Sequence, residues 1–372
     1  MNSFILGNYK DKAVKISREN SINGHILITG GSGTGKTNLL KVIMNQTCDD
    51  HVLVLDYSGS FAQFGDTEHI SADKTSILHD FCGNVDAENI SAITNAIQAA
   101  YRLGTSQKAT VMKALNKMAK KSYYSYEISP GDRESMFYDF LTFEEGQARQ
   151  DWALLAFILD TECGGSGTII AARLMELVVA LHGKKGLETK QEGMCVVEFP
   201  TENGSGVSEM VELYLWDLWR KQVQYYQQGQ VRTATIVIDE CQVLNWKKGS
   251  IAEKMLSEGR KFGISMLLST QFTKNNFPQR VITSFMQSGI RLIFQPPESD
   301  LKEIAQSLDL VNWHGWFKKL QKLPKGHCIA CGMVWIGERL GRQKIEVTVP
   351  LYTKNEKNTS KETIGGKKDE NN

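Results

Sequence analysis

A lysine and a threonine follow a glycine-rich loop near the amino terminus, in the stretch GGSGTGKT at residues 30–37. Gly30, four further residues and then Gly35, Lys36 and Thr37 match the spacing of a P-loop, whose backbone N–H groups point at phosphate oxygens. In such a loop the Lys36 ammonium reaches the β and γ phosphates of a nucleotide such as ATP, and the Thr37 hydroxyl holds Mg²⁺. The predicted nucleotide-binding residues are Gly30, Gly31, Ser32, Gly33, Thr34, Gly35, Lys36, Thr37 and Asn38.

The elements on either side of this loop are those that a phosphate cradle needs. Residues 25–29 contain three consecutive apolar residues and predict a short buried strand. Residues 38–45 place leucine, isoleucine and methionine at helical spacing, so the loop would run from a strand into a helix. The positive end of the helix dipole would then face the phosphates. The alternative interpretation is a glycine-rich turn that binds no ligand.

An acidic pair at residues 239 and 240 could complete the site. The stretch TIVIDE (235–240) reads as a buried strand that ends in Asp239 and Glu240, and ligands of parallel α/β sheets bind at the carboxyl ends of the strands. Asp239 would hold Mg²⁺, while Glu240 would orient and polarise the water that attacks the γ-phosphate. The alternative is an acidic pair that only begins a solvated loop. The sequence has no Asn-Lys-x-Asp guanine motif, which argues against a small GTPase.

Two further polar residues lie in the stretch SEGRKFGISMLLSTQ at 257–271. Gln271 ends a predicted strand beside the Asp239 strand and could sense the γ-phosphate or the attacking water, although a lone glutamine at a strand end would mean little. Arg260 falls outside the apolar stripe of the preceding helix, so we expect it to be exposed. An exposed arginine can serve the nucleotide site of a neighbouring subunit or can be simple surface charge. The predicted catalytic residues are Glu240, Lys36, Gln271 and Arg260.

The composition indicates a globular chain of 372 residues, of which 41% are hydrophobic and 23% charged. The net charge of +1 provides no overall basic surface, so any contact with nucleic acid must use local patches. The longest apolar run, at 152–159, is too short to span a bilayer, so we expect no membrane segment. Seven scattered cysteines suggest a reducing cytoplasm. Cys328 and Cys331 form a CxxC, but residues three apart on a strand face opposite ways, which disfavours a metal site.

Buried strands alternate with helices in much of the chain, which predicts an α/β fold with a mostly parallel sheet covered on both faces. Strands are predicted at 25–29, 52–56, 194–200, 233–240, 263–271 and 289–296, before a closing hairpin of 327–335 and 343–349. Helical periodicity is found at 87–103, 147–162, 168–183, 208–228 and 250–262. We therefore predict a core of residues 1–60 and 191–352, a mainly helical insertion at 61–190 and a disordered tail at 353–372.

Several stretches of the sequence resemble the HerA/FtsK clan of P-loop motors. The resemblance covers the predicted core, roughly half of the chain, and says little about residues 62–190. The stretches are NGHILITGGSGTGKTNLL (23–40), VLVLDYSGSF (52–61), TIVIDECQVL (235–244) and AEKMLSEGRKFGISMLLSTQ (252–271).

The resemblance implies an additional-strand, catalytic-glutamate ATPase with a RecA-like core, which works as a homo-oligomeric, hexameric ring that threads or pumps DNA. Arg260 matches the trans-acting arginine of the clan. The positions that match its nucleotide site are Lys36, Thr37, Asp239, Glu240 and Gln271.

Two departures from HerA itself limit what the resemblance implies. Only 24 residues precede His25, where HerA has an N-terminal β-barrel, and Ser60 stands where the family often has a glutamate. The role of HerA in processing DNA ends with a nuclease is therefore not implied. One alternative is a conjugation-type DNA pump of the same clan, although such pumps usually have transmembrane helices. Another is an assembly ATPase that uses nucleotide to organise an effector protein, such as a nuclease in a defence complex.

Two basic stretches that also contain aromatic residues could contact DNA. Residues 101–126 carry six basic residues and no acidic ones, and they end with Tyr123, Tyr124 and Tyr126. Lysines near aromatic rings are typical of surfaces that track a nucleic-acid backbone, but a solvated helix face beside core tyrosines would show the same pattern. The second stretch, 313–325, contains Leu320 and Leu323, which suggest packing instead.

Overall fold

The computed structural model describes residues 3–18, 20–21, 23–47, 51–65, 67–80, 85, 89–120, 129–144, 147–188, 193–199, 206–230, 232–271 and 276–353. The strands within these ranges are β1 (Ser3–Tyr9), β2 (Lys12–Ser17), β3 (Ile26–Thr29), β4 (His51–Asp56), β5 (Glu68–Ser71), β6 (Phe143–Glu144), β7 (Gln147–Ala148), β8 (Gly193–Glu198), β9 (Ala234–Ile238), β10 (Ile264–Thr270), β11 (Ile290–Ile293), β12 (His327–Ile336) and β13 (Arg339–Thr348).

The α-helices in the same ranges are α1 (Lys36–Met44), α2 (Ser76–Asp80), α3 (Ile90–Ala100), α4 (Thr105–Met118), α5 (Trp152–Glu162), α6 (Gly164–Leu181), α7 (Val207–Gln227), α8 (Ile251–Glu258), α9 (Gln279–Met286), α10 (Glu298–Leu308) and α11 (Trp313–Gln321). Short 3₁₀ turns at Cys241–Val243 and Gly259–Phe262 follow β9 and α8, respectively.

Eleven strands of the described residues form one sheet, in the order β13-β1-β2-β12-β11-β3-β10-β9-β4-β8-β5. From β11 to β5 each strand runs parallel to its neighbour. At the other edge, β1, β2, β12 and β13 pair in antiparallel fashion. The prediction of an α/β fold with a mostly parallel sheet is therefore confirmed, as is the closing hairpin of β12 and β13.

The sheet is covered on both faces. Successive residues of β3 alternate between two separate hydrophobic clusters, with Leu27 in one and Ile26 and Ile28 in the other. The larger cluster includes residues of α3 to α10, and the smaller one includes Leu39 and Leu40 of α1. This burial on both faces explains the nearly continuous apolar sequence of the central strands.

Strand β10 lies between β3 and β9 and is hydrogen-bonded to both. Thr270 aligns with Thr29 at the end of β3, and Leu268 aligns with Ile238 at the end of β9. Since parallel strands end at the same edge of the sheet, the P-loop, Asp239 and Gln271 meet there. An additional strand between the P-loop strand and the acidic strand is the arrangement that the sequence resemblance implies.

Helices α5 and α6 form an antiparallel pair, in which the second helix begins earlier than predicted. The predicted start of the second helix at residue 168 is wrong, because the helix begins at Gly164, directly after Cys163. A Cβ atom on Gly167 would lie 2.0 Å from the Leu159 carbonyl oxygen. The glycines therefore belong to the first turn of α6, where they allow the close approach of α5, rather than to a linker.

Among the described residues, α6 is also the one helix with the length and apolar composition to cross a membrane. It packs against α5 and α4, and residues such as Ile170, Ala171 and Leu174 are fully buried in the larger cluster. A single helix of this kind is weak evidence for a membrane span, because core helices of globular proteins can have the same length and composition.

The predicted 61–190 insertion is not wholly helical, because β5 pairs in parallel with β8 at the edge of the sheet. Helices α3 to α6 contribute to the same hydrophobic cluster as the central strands. The division into core and insertion stays a prediction. Residues 354–372, which form most of the predicted tail, lie outside the described residues.

The CxxC cysteines face opposite sides of the sheet, as the strand periodicity predicts. Cys328 is in the smaller hydrophobic cluster and Cys331 in the larger one. Burial raises the pKa of both thiols, to about 11 for Cys331. Within the described part of the chain, no group of three or more histidine, cysteine or acidic side chains could hold a metal ion.

Candidate nucleotide-hydrolysis site

The P-loop is pressed against the end of β11, and this contact explains two of its glycines. Gly30 and Gly35 have φ angles of 155° and 120°, which residues with a Cβ atom rarely adopt. A Cβ on Gly30 would lie 2.6 Å from the Cβ of Phe294, and one on Gly35 would lie 3.1 Å from the Phe294 ring. The Gly31 N–H donates to the Gln295 carbonyl at 2.7 Å. These contacts define the shape of the loop before any phosphate binds.

Lys36 begins α1, and its side chain is 5% exposed. Its ammonium donates to the Gly31 carbonyl oxygen at 3.0 Å and lies 3.7 Å from the Glu240 carboxylate. The lysine therefore curls back over the loop, as a phosphate-binding lysine must. It links the P-loop to the acidic residue predicted for catalysis.

Thr37 and Asp239 lie next to each other despite a separation of 202 residues. The Thr37 hydroxyl donates to the Asp239 carboxylate at 2.6 Å, and the buried Ser269 hydroxyl donates to the other oxygen of the same carboxylate. Hard oxygen ligands of this kind suit Mg²⁺. The donor set therefore fits the ion, with Thr37 and Asp239 as the residues that would hold it.

Glu240 is fixed by two amide side chains. Gln271 donates to one carboxylate oxygen at 3.1 Å, and Gln242 donates to the other at 2.8 Å. Gln242 is oriented in turn by the Thr270 hydroxyl, which donates to its amide oxygen at 2.9 Å. Glu240 has the left-handed φ of 52°, a strained backbone conformation for a residue with a side chain. The carboxylate is therefore positioned from both sides.

Tyr57 supports the backbone of the acidic pair. It follows β4 directly, and its hydroxyl donates to the carbonyl oxygens of Asp239 and Glu240. Burial raises the pKa of the Tyr57 hydroxyl well above its usual range, with the thiol of Cys241 and the carboxylate of Asp239 contributing further. The hydroxyl therefore remains a hydrogen-bond donor at any physiological pH.

The other predicted loop residues are placed as follows. Ser32 and Gly33 are exposed at the tip of the loop, and the Thr34 hydroxyl donates to the Gly31 carbonyl at 2.8 Å. The Asn38 side chain instead ties α1 to the segment after β13, since it donates to the Pro350 carbonyl and accepts the Tyr352 N–H, both at 2.8 Å. A nucleotide contact by Asn38 stays a prediction. Because its side chain is bonded to the segment after β13, its backbone N–H would make that contact.

Arg260 is exposed, as predicted, but it lies far from the nucleotide site of its own chain. It is part of the 3₁₀ turn before β10, and Ile264 at the start of β10 aligns with Ala234 at the start of β9. Asp239 and Glu240 follow the opposite end of β9. The length of β10, seven residues at about 3.3 Å each, separates Arg260 from that end by roughly 20 Å.

Sequence reasoning missed Tyr57, Gln242, Ser269 and Phe294. Ser269 and Gln271 are two apart at the end of one strand and so share a face, which is a signal that could have identified Ser269. Gln242 lies two residues after Glu240, and this closeness in the sequence is a signal that could have identified it. The contact of Phe294 with the P-loop depends on the pairing of β11 with β3, for which the local sequence holds no signal.

A P-loop, an acidic strand and an additional strand between them all end at one edge of a parallel sheet, which is the arrangement of a RecA-like P-loop NTPase fold. Residues 5–136 match the family model of the central domain of helicase HerA. This match includes β1 to α4 and extends into residues 62–136, to which the resemblance noted in the sequence did not reach. The match supports the resemblance to the HerA/FtsK clan over residues 5–136, and the fold of the chain is that of P-loop ATPases.

Solved structures with the same fold span nearly the whole chain. VirB4 of Thermoanaerobacter pseudethanolicus is 13% identical, with a TM-score of 0.64 over 94% of this chain and 96% of that one. The bacterial conjugative coupling protein TrwBΔN70 is 15% identical, with a TM-score of 0.57 over 91% of this chain and 86% of that one. A TrwB complex with ADP and Mg²⁺ is 15% identical, with a TM-score of 0.54 over 88% and 86%. No curated protein matches the sequence.

Residues 105–118 of the first basic stretch form α4, and the lysines of this stretch differ in their surroundings. Lys113 and Lys120 are exposed, whereas Lys117 forms an ion pair with Glu162 on α5. Lys121 and the three tyrosines that follow lie outside the described residues. In the second stretch Leu320 and Leu323 are buried, which confirms that those two leucines pack against the core.

Proposed function

We propose that this chain hydrolyses ATP at the site around Lys36 and Glu240 and uses the energy to move DNA through a ring of identical subunits. The observation that carries the proposal is the placement of the Glu240 carboxylate, which lies 3.7 Å from the P-loop lysine and is held by Gln271 and Gln242. A carboxylate at this position can orient a water molecule toward the terminal phosphate bound by the lysine.

Each residue has one task in the proposed reaction. The P-loop N–H groups and Lys36 bind and orient the β and γ phosphates. Mg²⁺ held by Thr37 and Asp239 would offset the negative charge of these phosphates. On nucleotide binding, Lys36 turns from Glu240 to the phosphates, which leaves the carboxylate free to accept a hydrogen bond from water. Gln271, at the end of the intervening strand, is placed to report the presence of the γ-phosphate.

Ring assembly would complete the site with Arg260 of a neighbouring subunit. In its own chain, Arg260 and Glu240 lie at opposite ends of the parallel strands. A contribution of Arg260 to hydrolysis therefore requires a second copy of the chain. An arginine that stabilises the charge developing on the γ-phosphate raises the rate by roughly 10³- to 10⁵-fold. A hexamer, as in the clan that the sequence resembles, is the assembly that we propose, in the cytoplasm.

A conjugation-type DNA pump is the second candidate. It is favoured by the structural likeness, over most of the chain, to VirB4 and to TrwB, a bacterial conjugative coupling protein. Both candidates move DNA, and they differ in the partner that receives it. The assembly ATPase that organises an effector such as a nuclease stays an alternative, which predicts hydrolysis that does not respond to DNA.

ATP turnover measured with and without DNA tests the proposed function. We expect double- or single-stranded DNA to accelerate hydrolysis by the wild-type chain, and Glu240→Gln to bind ATP without hydrolysing it. The variant keeps the shape of the side chain but loses the charge that polarises water. Turnover by Glu240→Gln near the wild-type rate would show that another group activates the water. Hydrolysis that is indifferent to DNA would favour the assembly alternative.

A further inference from the structure

A cavity of about 500 Å³ lies outside the ATP site, between α3, α7 and the segment that precedes α8. Its size is within the range of small-ligand sites. It is lined by Asn95, Gln98, Ala99, Arg102, Leu103, Trp216, Asn245, Lys247, Lys248, Gly249 and Ser250.

The cavity is positively charged. Arg102, Lys247 and Lys248 are its ionisable lining residues, all three are exposed, and no carboxylate among the described residues lines it. The buried Glu212, one helical turn before Trp216, accepts the Ile251 N–H at 3.2 Å. Burial raises the pKa of Glu212 to about 7, so near neutral pH this carboxyl cancels only part of the positive charge.

The uncharged part of the lining suits a nucleobase. Ala99, Leu103 and the half-buried Trp216 ring form an apolar wall. Two of the three amides are used within the protein: Gln98 donates to the Leu103 carbonyl, and Asn245 donates to the Ala99 carbonyl, both at 3.3 Å. Within the described residues Asn95 has no such partner, so its amide can bond a ligand. Apolar walls, an available amide and clustered cations are the features that bind a base together with its phosphate.

The cavity is connected to the ATP site through the chain that follows Glu240. The segment turns at Cys241–Val243, and Trp246 is fixed by a hydrogen bond from its indole N–H to the Cys241 carbonyl at 2.9 Å. The cavity wall begins at Asn245, five residues after Glu240. A ligand held between Arg102 and Lys247 would therefore hold in place the segment whose start positions the catalytic carboxylate.

We propose that this cavity binds a phosphate-bearing nucleotide, either free or as part of a nucleic-acid strand, and that its occupancy regulates ATP hydrolysis. Arg102, Lys247 and Lys248 contact the phosphate, and Asn95 and the apolar wall contact the base. The proposal does not depend on DNA translocation, because a free nucleotide satisfies the same chemistry.

The test compares two double variants of the full chain. Lys247→Ala with Lys248→Ala removes two cavity charges, and Lys12→Ala with Lys15→Ala removes two exposed lysines of β2 as a matched control. Both pairs carry Lys36→Ala, so that the P-loop does not contribute. The probes are a fluorescein-labelled oligothymidylate of about ten nucleotides, about the length that one single-strand binding module covers, and AMP, whose binding is measured by calorimetry.

We expect the cavity variant to bind the oligothymidylate, AMP or both at least tenfold more weakly, and the control to bind within twofold of its parent. The probe that loses affinity identifies the source of the nucleotide. In a second pair of variants that keep the native Lys36, the cavity substitutions leave the basal ATPase rate unchanged and abolish the stimulation by that probe. Equal binding of both probes by the two variants, or no binding by the parent, would overturn the proposal. Stimulation by that same probe that survives in the cavity variant would overturn the proposed regulation, whereas DNA-stimulated hydrolysis by the parent would still support the proposed function.

Discussion

Replacement of Arg260 by alanine tests whether hydrolysis requires two subunits. The turn that carries Arg260 precedes β10, whereas Glu240 follows β9 at the other end of the sheet. A separation of roughly 20 Å is much longer than an arginine side chain. The arginine therefore cannot reach the γ-phosphate bound by its own chain, and any catalytic effect must act on a neighbouring subunit.

Loss of the Arg260 side chain should affect ATP turnover but not ATP binding. Arg260→Ala should bind ATP with wild-type affinity, since the P-loop and Lys36 are unchanged. Its turnover should fall by roughly 10³- to 10⁵-fold, the contribution of arginines that stabilise a phosphoryl-transfer transition state. Equilibrium ATP binding and steady-state phosphate release measure the two quantities separately.

Complementation between two inactive variants gives a sharper test. In an equimolar mixture of Arg260→Ala and Glu240→Gln, random assembly places an intact Glu240 opposite an intact Arg260 at about a quarter of the interfaces of a cyclic ring. Turnover should therefore recover to about a quarter of the wild-type rate. The matched control mixes Arg260→Ala with the Arg260→Ala, Glu240→Gln double variant, in which no interface has an arginine.

Two results would refute this reasoning. The first is wild-type turnover by Arg260→Ala alone, which would assign the arginine to the surface. The second is a mixture that stays inactive after subunit exchange has been demonstrated with fluorescently labelled chains. In that case the arginine would have a structural role, since the sheet geometry excludes a direct role in its own site.

Four further variants test other parts of the structure. Lys36→Ala should abolish ATP binding in calorimetry, because the main cation of the P-loop is lost; tight binding would contradict the P-loop assignment. Gln242→Leu should lower kcat by about 10- to 150-fold with little change in KM, because a hydrogen bond to a charged group contributes about 1.5–3 kcal/mol; a change in KM alone would point to a role in binding. Lys113→Glu with Lys120→Glu should weaken DNA binding and reduce the salt-dependence slope by about two, and an unchanged slope would leave α4 as solvated surface. Glu212 has a pKa raised to about 7 by burial, so its neutral form stabilises the fold below the unfolded pKa, and up to about 3 kcal/mol is lost as pH rises from about 4.5 to 7. Glu212→Gln should remove this loss in urea unfolding compared at pH 5 and pH 8, and identical pH dependence in both chains would show that folding does not shift the pKa of Glu212.

The sequence alone determined the P-loop and the elements on either side of it. The P-loop spacing of Gly30, Lys36 and Thr37 is a local pattern, because consecutive residues build the cradle and the helix that follows it. Asp239 and Glu240 were recognisable for a similar reason, since an apolar run that ends in two carboxylates marks the carboxyl end of a buried strand. The apolar periodicity likewise predicted most strands and helices.

Only the tertiary structure decided which residues support the Glu240 carboxylate. Gln242, Thr270 and Gln271 meet Glu240 because β10 pairs beside β9 in one particular register, and register is a property of the whole sheet. Tyr57 reaches the same turn from β4, and Phe294 reaches the P-loop from β11. The tertiary structure also places Arg260 at the end of the strands opposite Glu240. The residues around Arg260 in the sequence predict only that it is exposed. The direction of β10 determines that it lies far from the ATP site of its own chain.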